Sequence, residues 1–80
     1  MKLTDEQLDT LRKVFRLSPR ETQVVALLFK GVGTTDEKAQ RLGVGVPAVK
    51  LVLRMLYAKV GVSSKHEVIV RCLDVLNPRF

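Results

Sequence analysis

The sequence predicts an all-α fold, a small helical bundle of four core helices carrying a helix-turn-helix, with an extra N-terminal amphipathic helix. Three observations predict it. Thr4, Ser18 and Ser64 each stand three residues before a Gln or Glu, the spacing of a helix-opening capping box. Apolar residues then recur at three- and four-residue intervals, the period of one helix face. No stretch shows the alternation of β-branched and polar residues that a half-buried strand needs. With 80 residues the chain is one domain with a thin core.

The first helix opens at Thr4 with Gln7, and Leu8, Leu11 and Phe15 fall on one face. This amphipathic segment occupies residues 1–16, and the helix-turn-helix domain follows over residues 17–77. Ser18-Pro19-Arg20-Glu21 is the strongest start signal, because Ser18 caps, Pro19 suits the first helical position and Glu21 closes the box. Val24, Val25, Leu27 and Leu28 supply the buried stripe, and Gly31 ends the helix. Thr34 or Thr35 opens a short third helix with Asp36 and Glu37 at its positive end; it carries Ala39 and Leu42 and stops at Gly43. The fourth starts near Val46-Pro47 behind Gly45 and runs through Val49, Val52, Leu53 and Leu56 to Gly61. The fifth begins at Ser64 with Glu67, carries Ile69, Cys72, Leu73 and Leu76 as its buried stripe, and ends at Asn77-Pro78.

Charge is unevenly spread. Fourteen Lys and Arg against eight Asp and Glu give +6. Residues 1–37 hold six of each sign, whereas residues 38–80 hold eight basic residues against only Glu67 and Asp74. Between Lys38 and His66 there is no acid. Such an excess suits a polyanion, whose condensed counterions are released by each Lys or Arg that meets a phosphate. A helix face solvated for solubility would show the same excess.

Several classes are excluded. Cys72 and His66 are the only Cys and His, too few for a disulfide framework or a zinc site. There is no Gly-rich phosphate loop and no nucleophile–base pair, so neither an enzyme nor a cofactor is expected. No apolar run approaches the roughly 20 residues that cross a bilayer, and no signal peptide is evident. The expected compartment is the cytoplasm.

The informative segment runs from Lys38 to Val52, two helices joined by a turn of about four residues. Ala39 is small where the helices cross, Gly43 turns the chain, and Val44, Val49 and Val52 point inward. Ala39, Gly43 and Val49 at these offsets are moderately specific for a helix-turn-helix. With Val49, Val52, Leu53 and Leu56 buried, Lys50, Arg54 and Ala58 stay outside with Leu51 beside them. Lys50 and Arg54 project from adjacent turns, where like charges disfavour the helix unless an anion offsets them. Lys and Arg bond guanine O6 and N7 in the major groove, and Leu can meet a thymine methyl. On the fifth helix Val68, Arg71 and Val75 form a second, partly apolar side. A second copy of the chain would cover it, or the first helix folding back through Leu8, Leu11 and Phe15.

Leu17-Ser18-Pro19-Arg20-Glu21, Val25 to Leu28 with Gly31, Ala39 to Gly43, Val49-Lys50 and Lys59 to Ser64 together resemble the LuxR/FixJ/GerE-type DNA-binding domain of bacterial transcription regulators. The resemblance covers Leu17 to Leu76. It implies a dimer on a two-fold symmetric duplex DNA site, paired through the last helix, with RNA polymerase a further candidate partner. Lys50, Leu51 and Arg54 are then base-facing. Thr34 or Thr35, the turn from Gly45 through Val46 to Pro47, and Lys59 are candidates for phosphate contacts; Val68, Arg71 and Val75 are candidates for dimerisation. The chain departs from the family where Lys38 replaces a buried Ile, Gly45 a Ser cap, and Pro47 and Ala48 polar residues. Lys38 is expected to bury its stem and carry its charge outward. The family's sensing domain has no counterpart in these residues, which fits a stand-alone regulator or the C-terminal domain of a longer one. A helix-turn-helix that has become a protein-interaction module, and a sigma-factor-like promoter reader, are the alternatives.

Overall fold

Side-chain caps open four of the five helices in the computed structural model, which describes residues 1–78. The helices are α1 (Asp5–Phe15), α2 (Pro19–Phe29), α3 (Thr35–Leu42), α4 (Val46–Val60) and α5 (Lys65–Leu76), with no strand among the described residues. The Thr4 hydroxyl accepts from the Gln7 amide at 3.1 Å while the Thr4 amide donates to Gln7 Oε1 at 2.9 Å. Ser18 and Glu21 repeat this at 3.1 and 2.8 Å. Thr34 caps α3 and Ser64 caps α5. Gly45 precedes α4 and offers no side-chain cap. Gly43 and Gly61 end α3 and α4 in the left-handed region, at φ 68° and 80°, where a Cβ would be strained.

Packing radiates from α2, which touches all four other helices. Its Val24 and Val25 are fully buried and meet Leu11 of α1, Val49 and Leu56 of α4, and Val68 and Cys72 of α5 in one apolar core. No described helix is long and apolar enough to cross a membrane.

Two expectations need correction. On α5 the most deeply buried residues are Val68 and Cys72, four apart, while Ile69, Leu73, Val75 and Leu76 are half-buried. Helix α1 folds back and packs on α5, so α5 is covered by α1 as well as by α2 and α4. Val68 therefore belongs to the core of a single chain. Lys38, expected to carry its charge outward, is fully buried instead, and its Nζ donates to the Gly33 carbonyl at 3.1 Å. The chain turns at Gly33 directly before α3, so a carbonyl lies within reach and the ammonium stays inside.

Candidate nucleic-acid interface

The site is the exposed face of α4 and the elements that hold it in place. Helices α3 and α4 pack on each other, with Ala39 and Val49 both buried in the core. The turn between them is closed by backbone bonds from the Gly43 amide to Gln40 O and from the Val44 amide to Ala39 O. Arg20, at the start of α2, donates through Nη1 to the Leu42 carbonyl at 3.1 Å and ties the end of α3 to α2. These contacts hold α4 at a set angle to α3, as major-groove reading by a helix-turn-helix requires.

Lys50, Leu51 and Arg54 are exposed on α4, as the sequence predicts. None of the three ion pairs among the described residues includes Lys50 or Arg54. Both cations are available to a partner. Pro47 is exposed at the second position of α4 and Val46 half-buried at the first. Sequence reasoning missed Met55, 48% exposed and one turn beyond Leu51; its four-residue spacing from Leu51 was the available signal.

The candidate phosphate contacts are differently placed. The Thr34 hydroxyl accepts from the Glu37 amide and also lies 3.2 Å from Glu37 Oε1. Thr35, the first residue of α3, is half-buried. Exposed Asp36 and Glu37 put two carboxylates in that same first turn. Lys59 does not stand free: its Nζ is 2.7 Å from Glu21 Oε1 and 3.1 Å from the Arg16 carbonyl. Glu21 is buried, and burial alone would push its carboxyl up. The Lys59 and Ser18 bonds outweigh that, and the group sits below the ordinary carboxylate range. Lys59 is thus the internal partner of a buried acid, linking α4 to α2.

A second internal cation site lies at Gly33. Its carbonyl accepts from Lys38 Nζ and, at 2.7 Å, from Lys65 Nζ of α5. Burial holds the Lys38 ammonium below the ordinary lysine range, the Lys65 charge adds to this, and Glu37 opposes it. Cys72 is buried and that burial pushes its thiol up to about 11, which disfavours the reactive thiolate.

Of the expected dimer face, Val68 is core, Val75 is half-buried and Arg71 is exposed. The exposed side of α5 instead carries His66, Glu67, Val70 and Arg71 beside an open groove reaching to Gly61 and Val62.

Over 74 residues, 92% of this chain, the sequence is 32% identical to the HTH-type transcriptional regulator MalT of Serratia proteamaculans (strain 568). It is 34% identical over the same length to the proteins of that name from Yersinia pestis (strain Pestoides F) and Yersinia pseudotuberculosis serotype O:3 (strain YPIII). The chain is similar to an HTH-type transcriptional regulator. It spans 8% of the length of these relatives. No family model matches it, and no solved structure matches it. Relatives that are HTH-type transcriptional regulators by name agree with the helix-turn-helix read from the residues.

Proposed function

We propose that this chain is a sequence-specific DNA-binding domain of a bacterial transcription regulator of the LuxR/FixJ/GerE type. In this reading α4 lies in the major groove of duplex DNA. The observation that carries it is the pairing of a fixed α3–α4 corner with two unpartnered cations, Lys50 and Arg54, on the outer side of α4. Lys50 and Arg54 read base edges, Leu51 lies between the cations and the apolar part of the face, and the turn at Gly45 to Pro47 brings the start of α4 to the backbone. Two copies bind a two-fold symmetric site and meet through the exposed side of α5 around Arg71, with Val75 at its edge. The site of action is the cytoplasm.

Binding to random-sequence duplex across a salt series tests this. Each phosphate neutralised adds about −0.9 to the slope of log affinity against log salt. A slope of several units is expected. A slope near zero would refute DNA binding and favour the protein-interaction reading, which the exposed apolar pair Leu51 and Met55 supports.

A further inference from the structure

At about 100° per residue, the buried residues of α4 (Val49, Leu53, Leu56 and Val60) fall in one narrow arc. The direction opposite that arc is occupied by Leu51 and Ala58. Around this apex the exposed face is graded. Arg54 and then Lys50 lie to one side, and Met55 and then Ala48 to the other. The part of α4 that projects furthest from the core is therefore apolar, with the two unpaired cations along one edge and Lys59, held by Glu21, beyond the other. Leu51 is 54% exposed and Met55 48%, and they are one turn apart, so their side chains are neighbours.

The partner that fits must be anionic at its rim, since there is no acid from Lys38 to His66, yet must offer apolar groups at its floor. The major groove does so in one way: of the four bases, only thymine presents a methyl group there. Resting on the DNA-binding reading above, we propose that Leu51 and Met55 read thymine 5-methyl groups. The preferred half-site then carries thymines beside the guanines that Lys50 and Arg54 bond. Four residues of helix advance about 6 Å and one base step about 3.4 Å, so the two thymines lie one or two steps apart. Met55, unbranched and adaptable, suits the outer of the two contacts.

The test begins with enrichment of the full chain's preferred site from random duplexes. Each thymine in that site is then replaced by deoxyuridine, which removes the methyl and keeps every hydrogen-bonding group, and Kd is measured at fixed salt. One methyl buried against Leu51 or Met55 changes affinity about three- to fivefold. One or two thymines per half-site should show that loss and the others none. The loss should vanish in Leu51→Ala for one thymine and in Met55→Ala for the other. Equal affinity for the uracil duplex overturns the proposal while leaving DNA reading in place, as does a methyl effect that persists in both variants. Failure to enrich any duplex at low salt overturns the proposal together with the reading it rests on.

Discussion

Replacing Lys38 by Met should stabilise this domain. Lys38 is fully buried on α3, and no carboxylate among the described residues pairs with it. An ammonium has three donors, and this one has a single protein acceptor, the Gly33 carbonyl at 3.1 Å. That carbonyl also holds Lys65 Nζ at 2.7 Å, so removing Lys38 leaves no orphaned acceptor. Two effects compete. A hydrogen bond to a charged group contributes about 1.5–3 kcal/mol, whereas burying the charge costs several kcal/mol, and even buried ion pairs, whose charges offset each other, are often replaced by apolar residues of similar volume at no loss or with a gain of about 1–4 kcal/mol. Met fills nearly the same space, which puts the net gain at about 1–2 kcal/mol. In a domain of this size each kcal/mol moves Tm by about 4–8 °C, so thermal unfolding followed by circular dichroism should show a rise of about 5–15 °C. The pH dependence has a definite sign. The folded-state pKa is depressed, so the unfolded chain holds the proton more tightly, and wild-type stability rises as pH climbs from the folded to the unfolded value. The gap between variant and wild type should therefore be widest below the folded pKa and narrow through that window. A Lys38→Met domain less stable than wild type by about 1 kcal/mol or more at pH 7 would refute the reasoning, because the bond to Gly33 would then outweigh the burial of the charge.

Three further outcomes are expected. Lys50→Ala and Arg54→Ala should each weaken binding to the preferred site by about 1–3 kcal/mol and relax base preference without changing circular dichroism, and equal loss on random DNA would reduce both to phosphate contacts. Lys59→Met should destabilise the domain by about 2–3 kcal/mol by stranding the buried Glu21 carboxylate. Because the folded pKa of Glu21 is lowered, its contribution is complete above the unfolded value and is lost as pH falls through the folded one, so urea titrations of Glu21→Gln and wild type should converge in acid. Val68→Glu should unfold the domain, whereas Val70→Glu with Arg71→Glu should leave it folded and abolish cooperative pairing on a palindromic duplex; retained cooperativity by sedimentation would remove α5 as the dimer contact.

The helices were legible in the sequence because their ends rest on local chemistry. A hydroxyl and an amide three residues apart need nothing distant to form the Thr4 and Ser18 boxes, and a glycine at positive φ ends a helix wherever it stands. The α5 stripe was not legible, because periodicity locates an apolar face without saying how wide it is. Val68 and Val75 extend the apolar arc of α5 on one side of Cys72, and Ile69, Leu73 and Leu76 on the other. Val68 is core where α1, α2 and α4 all pack on α5, and α1 lies more than fifty residues away along the chain.

The same distinction separates the cations. Lys50, Arg54 and Lys59 are equivalent by charge and by helix, yet Lys59 is held internally by a buried acid thirty-eight residues earlier, and Lys38 and Lys65 share one backbone oxygen across α3 and α5. Of the stretch from Lys38 to His66 that first pointed to a polyanion, three lysines thus serve the fold, Lys38 and Lys65 at Gly33 and Lys59 at Glu21. Net charge overstates the binding surface accordingly. What remains free on α4 is a pair of cations at one edge of an apolar ridge. On the DNA-binding reading, a surface built that way derives less of its affinity from phosphate attraction and more from what lies on the groove floor. Its salt slope should accordingly fall short of what the full charge excess would give, while single base changes at the floor still alter affinity.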